Sequence, residues 1–156
     1  MPKFSVLKTF ALKSDLQKPS LDNLERLRRI YDVSRDIVAW RIIKDLNIWA
    51  SCFVQSKIVQ KSGTPRFQRR PLPLKNKNVN ELNFVKLSKL VDETNDLYPH
   101  FLKVLEKNKA KPSTVEDIVG IHGHRFLVQS KIAKGNTIVT LISPIGHQYE
   151  LLSPFL

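Results

Sequence analysis

The chain has 156 residues, with 26 Lys and Arg against 14 Asp and Glu, a formal net charge of +12 at pH 7. That length allows one domain or two small ones, and the apolar fraction is ordinary for a packed core. No apolar run approaches a membrane span, no signal-peptide pattern opens the chain, and the single cysteine, Cys52, excludes an internal disulfide. Together these predict an intracellular protein with no membrane partner.

Residues 1–18 predict a short helix or arm, with Phe4, Leu7, Phe10 and Ala11 at helical spacing. Residues 20–46 predict two short amphipathic helices joined by a tight turn. Ser20 is the N-cap of the first, Asp22 lies in its first turn, and Leu21, Leu24, Leu27 and Ile30 form its apolar stripe. Tyr31-Asp32-Val33 breaks the period. Ser34 caps the second helix, whose stripe is Ile37, Val38, Ile42 and Leu46. So short a turn implies a steep crossing, the geometry of a helix-turn-helix unit. In that geometry Ser34, Arg35, Asp36, Ala39 and Trp40 face DNA. Arg35 suits a base edge or a phosphate, whereas Asp36 repels the backbone unless it accepts from a cytosine. The alternative is an ordinary helix hairpin whose charges are solvated. Trp40 and Trp49 are residues that more often anchor a core than stack on a base.

A strand is predicted over residues 50–58, with Cys52 as a small buried hydrophobe. Gly63-Thr64-Pro65 reads as a turn, and residues 66–80 as a loop or extended segment with two prolines. Residues 46–80 hold no acidic side chain and seven basic ones: Lys57, Lys61, Arg66, Arg69, Arg70, Lys75 and Lys77. Such a block attracts nucleic acid or an acidic protein surface, or else is simply a solvated loop. Phe67, between Arg66 and Arg69-Arg70, is its candidate for stacking on a base.

Residues 81–109 return to helical spacing in two pieces. Phe84, Leu87 and Val91 mark the first, and Leu97, Phe101, Val104 and Leu105 the second, with Pro99 in its first turn. After a linker at 109–113, strands are predicted at 125–132, 137–143 and 148–152, with turns at Gly135-Asn136 and Pro144-Ile145-Gly146. The run Val54-Gln55-Ser56-Lys57-Ile58 recurs as Val128-Gln129-Ser130-Lys131-Ile132. It marks either two equivalent strands of one sheet or a chance recurrence. The predicted architecture is α+β: a helix-turn-helix-like unit at 1–48, a strand and basic Pro-containing loop at 49–80, and helices with a small β unit at 81–156.

Of the four histidines, His122 and His124 share one side of an extended segment and His147 follows a neighbouring turn. Three imidazoles could hold zinc, but no recognised ligand spacing joins them, and surface loops are the plainer reading. Ser, His and Asp all occur, yet nothing resembles a nucleophile elbow, and there is no Gly-rich phosphate loop.

The order Phe10-Ala11, Leu24-Glu25-Arg26-Leu27, Tyr31-Asp32-Val33-Ser34 and Ile37-Val38-Ala39-Trp40-Arg41-Ile42 resembles the segment that follows the active site in ImmA/IrrE-type metallopeptidases. There a helix is followed by a helix-turn-helix with the core Phe/Tyr-x-Val-Ser-x-x-x-Val/Ala-x-x-Arg-Leu/Ile. Trp49-Ala50-Ser51-Cys52-Phe53-Val54 and the later β segment are similar to the sensor-like extension of larger members. The resemblance covers residues 7–60 and, more weakly, 120–143. The family's zinc motif, H-E-x-x-H, does not occur in this sequence, so no catalytic residue or cofactor carries over. The resemblance implies a non-catalytic regulatory module that binds DNA or the acidic surface of a repressor-like protein; the candidate contacts are Ser34, Arg35 and Trp40 of the helix pair and Arg66, Phe67, Arg69, Arg70, Lys75 and Lys77 of the basic segment. Two alternatives are a part of a split zinc peptidase that needs a separate H-E-x-x-H subunit, and a basic protein that coats nucleic acid.

Overall fold

The computed structural model describes residues 18–61, 63–70, 73–85 and 89–145. The arm expected before residue 18, the strand expected at 148–152 and His147 lie outside the described residues. The first helix, α1 (Leu21–Tyr31), starts where the sequence puts it: Ser20 Oγ accepts from the Asn23 N–H at 3.2 Å. It ends at Asp32, whose left-handed φ of 51° lets its N–H reach the Arg28 and Arg29 carbonyls. Ser34 then caps α2 (Arg35–Ala39), accepting from the Ile37 N–H at 3.3 Å. After five residues α2 widens into a π-helical turn, Trp40–Asp45.

Seven strands follow among the described residues: β1 (Cys52–Lys61), β2 (Thr64–Arg69), β3 (Leu74–Lys75), β4 (Leu90–Val91), β5 (Val115–Ile121), β6 (His124–Ala133) and β7 (Thr137–Pro144). They form one antiparallel sheet in the order β4-β2-β1-β7-β6-β5, with β3 also on β1. Between β3 and β4 lies a 3-10 turn, Asn80–Phe84, and between β4 and β5 lies α3 (Tyr98–Lys107). Both faces of the sheet are covered. Leu21, Leu24, Leu27, Val38, Ala39, Ile42 and Ile43 of the helix pair pack with Trp49 on Phe53, Val139 and Leu141. On the other face Leu97, Tyr98, Phe101 and Val104 pack on Cys52, Val54, Phe67, Phe126, Val128 and Ile142. β7 runs between the two layers and is buried at all eight positions, which is why its sequence reads as a run rather than an alternation.

This arrangement corrects the predicted fold of an N-terminal helix-turn-helix-like unit followed by a small β unit. The pair is one layer of the sheet's own core. A DNA reader must project its second helix, whereas here the stripe of both helices faces β1 and β7. The sequence showed that the helices have an apolar face but not what that face covers. Two further expectations change. The first piece of the 81–109 helix is a 3-10 turn and the two-residue strand β4, because Val85 leaves the helical region at φ −80°, ψ 84°. Ile30 and Ile37, both placed in the apolar stripes, are 54% and 43% exposed.

The repeated pentapeptide falls on β1 and β6, the two strands that flank β7, so Thr140 lies opposite both Val54 and Ser130. Its two glutamines each tie the helix pair down. Gln129 accepts from the Leu21 N–H at 2.9 Å and donates to the Pro19 carbonyl at 3.0 Å, and Gln55 donates to the Asp36 carboxylate. Cys52 is buried as expected, and burial pushes its thiol up to about 12 despite the charges of Lys75 and Arg69.

Candidate recognition groove

Two large exposed apolar side chains, Ile37 and Trp40, gather at one place. Ile37 and Trp40 are three residues apart and therefore neighbours on one helix face. They are 43% and 46% exposed, although Val38, Ala39, Ile42 and Ile43 beside them are fully buried. Together with Asp36 they form one wall of a groove of about 480 Å³. Its floor is Phe53 and Leu74, and its other wall is Gln55 and Arg70. Local chemistry fixes that second wall. The Arg70 N–H donates to the Gln55 carbonyl at 2.9 Å, extending the β1–β2 ladder one residue past β2 and setting Arg70 at the rim. Strand alternation adds charge beside it. Gln68 pairs with Lys57 and Arg66 with Val59, so Lys57 and Arg66 share the sheet face of Phe53 and Gln55.

The residues singled out from the sequence divide between this groove and other places. Trp40 and Arg70, from separate predicted units, line it together, with Arg66 on the adjoining face. Ser34 is occupied as a helix cap. Arg35 grips Glu25 with two nitrogens, Nε to Oε1 and Nη2 to Oε2, the second at 3.3 Å, and Arg28 stands 3.7 Å from the same carboxylate. Phe67 is not a stacking platform: it is fully buried, edge-on to Phe101 at 4.9 Å and to Tyr98 at 5.9 Å. Alternation sends Phe67 and Arg69 to the α3 face. Lys75 Nζ donates to the Val85 carbonyl at 3.3 Å, and Lys77 is exposed in a turn. His122 and His124 flank Phe84, with centroids at 6.1 and 4.6 Å, and among the described residues no three His, Cys, Asp or Glu side chains gather to hold a metal.

One constellation went unread in the sequence. His100 Nδ1 lies 2.7 Å from Asp117 Oδ2, and His100 Nε2 lies 2.8 Å from Ser130 Oγ. Ser130 Oγ is 2.8 Å from Thr140 Oγ1, and Lys103 Nζ donates to Asp117 Oδ1 at 2.7 Å. The connectivity is that of a Ser-His-Asp triad. The setting is not catalytic, because Ser130 is fully buried and its backbone lies within the ladder between β5 and β7, leaving no approach for a substrate. Burial is the main influence on His100 and lowers its pKa, against the hydrogen bond and charge of Asp117 and with the help of Lys103. Burial raises the pKa of Asp117, but the hydrogen bonds and charges of Lys103 and His100 outweigh it and the net is lowered. The one sequence sign was that His100 falls on the Leu97, Phe101, Val104 stripe, the buried side of its helix.

No family model matches the chain, and no curated protein matches it. Among the described residues no helix is long and apolar enough to cross a membrane.

Proposed function

We propose that the protein is a non-catalytic recognition module that holds an acidic, partly apolar segment of a partner protein in the groove between α2 and Arg70. The observation that carries this reading is the pairing of two large exposed apolar side chains, Ile37 and Trp40, over a Phe53–Leu74 floor with a cation at the rim. An apolar side chain seated there removes Trp40 from water, and aromatic anchors of this kind carry much of the energy of protein interfaces. Arg70, with Lys57 and Arg66 beside it, complements a flanking carboxylate, and the net charge of +12 steers an acidic partner inward. The apolar lining of Ile37, Trp40, Phe53 and Leu74 favours a segment with apolar side chains over a polyphosphate backbone, and so a protein over nucleic acid. The regulatory role implied by the sequence resemblance is thereby moved from a DNA-reading helix to a groove.

Fluorescence quenching tests the proposal. Trp49 is fully buried and Trp40 is not, so iodide-accessible emission reports the groove. The probes are short peptides in which Leu or Phe is flanked by Glu, the same peptides with Lys in place of Glu, and a single-stranded oligonucleotide. The Glu peptides should shield Trp40, Arg70→Glu should weaken their binding by about 1–3 kcal/mol, and calorimetry should show a similar loss for Trp40→Ala, which lacks the emitting side chain. Failure of every Glu peptide to shield Trp40 overturns the groove. Tighter binding of the oligonucleotide overturns the choice of partner.

A further inference from the structure

The buried chain of hydrogen bonds through His100 has a direction that chemistry fixes. An ionised Asp117 can only accept, so Nδ1 carries the proton it shares with Oδ2. Nε2 is then bare and accepts from the Ser130 hydroxyl, whose oxygen in turn accepts from Thr140. The chain joins the first turn of α3 to β5, β6 and β7, and each of its hydroxyls has a single proton. We propose that His100 is a pH-sensitive latch: a proton on its Nε2 reverses the chain to Ser130 and Thr140 and loosens α3 from the sheet.

The reversal has a definite cost. Once Nε2 donates, the Ser130 proton must leave it: either it turns toward Thr140 and the Thr140 proton points elsewhere, or Ser130 accepts from both neighbours and its own proton is left over. Among the described residues the Thr140 hydroxyl has Ser130 as its hydrogen-bond partner, and Thr140 is buried. A buried donor is therefore stranded. The charged groups around the ring decide whether this is felt. Asp117 on β5 favours the imidazolium but divides its charge with Lys103 of α3. Asp96, just before α3, lines the same cavity of about 500 Å³ and is the other acidic group in its wall. Ser130 on β6 and Thr140 on β7 bring no charge. Burial dominates, and the ring is held below its ordinary value. The cavity brings solvent to the Asp117 and Lys103 side, so a proton has a route in.

The sign follows from linkage. The unfolded or undocked histidine takes its proton first as pH falls through its ordinary value, near 6.5. Docking of α3 then weakens with further acidification until the buried ring is also protonated, by at most a factor of about ten per pH unit for one proton.

The test uses the intact chain. Ring nitrogen shifts should show the Nδ1–H form of His100 near neutral pH, with an inflection below the ordinary value of 6.5. Hydrogen exchange, corrected for intrinsic rates, should show α3 opening up to about tenfold more per pH unit below about 6.5 while β7 amides do not. His100→Asn should abolish that excess. If this variant does not fold, the native ring titration still decides. An Nε2–H ring at neutral pH, an inflection at or above the ordinary value of 6.5, or α3 exchange that tracks β7 overturns the latch.

Discussion

Arg35 shows how a single partner changes the meaning of a side chain. At the start of a short helix it has the address of a residue that reaches outward, and its charge suits a base edge. Glu25, one helix earlier, is only 4% exposed at its side chain, and Arg35 is its double donor. Arg35→Ala therefore leaves a buried carboxylate with Arg28 alone, at 3.7 Å, and should destabilise by roughly 1–3 kcal/mol in urea unfolding. Replacing both partners by apolar residues, Glu25→Leu with Arg35→Met, should recover most of that loss, because the desolvated charge goes with its partner. The two repeat serines make a second contrast. Ser56 and Ser130 occupy equivalent buried positions on β1 and β6, yet Ser56 Oγ has no hydrogen-bond partner among the described residues. Ser130→Ala removes the donor to His100 and should cost about 1–3 kcal/mol, whereas Ser56→Ala should be neutral or slightly stabilising. Equal losses at the two positions would show that hydrogen bonding does not distinguish them.

Elements were legible where their signals are local. Ser20 and Ser34 name the starts of α1 and α2, and Gly135-Asn136, both at positive φ, names the β6–β7 turn. Periodicity found the strands at β1, β6 and β7. It missed β5, and it read β2 as a turn followed by a loop or extended segment, because Thr64-Pro65 and the run of arginines look like punctuation when strand pairing is not visible. It also misjudged the stripe of the second helix. Five residues at about 100° each set Ile37 roughly 140° from Ile42, so Ile37 and Trp40 turn outward while Ile42 and Ile43 turn in. A core Ile→Ala substitution typically costs about 2–5 kcal/mol, and that is the expectation for Ile42→Ala. Ile37→Ala should stay within roughly 0.5 kcal/mol, as surface changes do. Thermal melts of the two variants check this, and a large loss from Ile37→Ala would place its side chain in the core.

At the scale of the molecule, the charge was legible as a sum and as a block, but its placement was not. The basic run of residues 46–80 divides between the two faces of one sheet, since β2 alternates: Arg66 and Arg70 turn to the groove face, Arg69 to the α3 face. Two of the seven groove residues, Trp40 and Arg70, were among the contacts singled out from the sequence. Phe53 and Leu74 were hidden, because a residue in a strand is assigned a face only when the layer above it is known. This division separates two contributions to binding. Lys57 and Arg66 lie beside the groove rather than in it, so they should act on the approach of a partner more than on its residence. Lys57→Glu and Arg66→Glu should slow association with the Glu-flanked peptides and flatten its dependence on salt, with dissociation little changed. Trp40→Ala should do the opposite, speeding dissociation and leaving the salt dependence intact. Stopped-flow measurements at two ionic strengths resolve the two rates. If the rim charges govern dissociation instead, they contact the bound segment directly, and the site extends from the groove across the exposed face of β1 and β2.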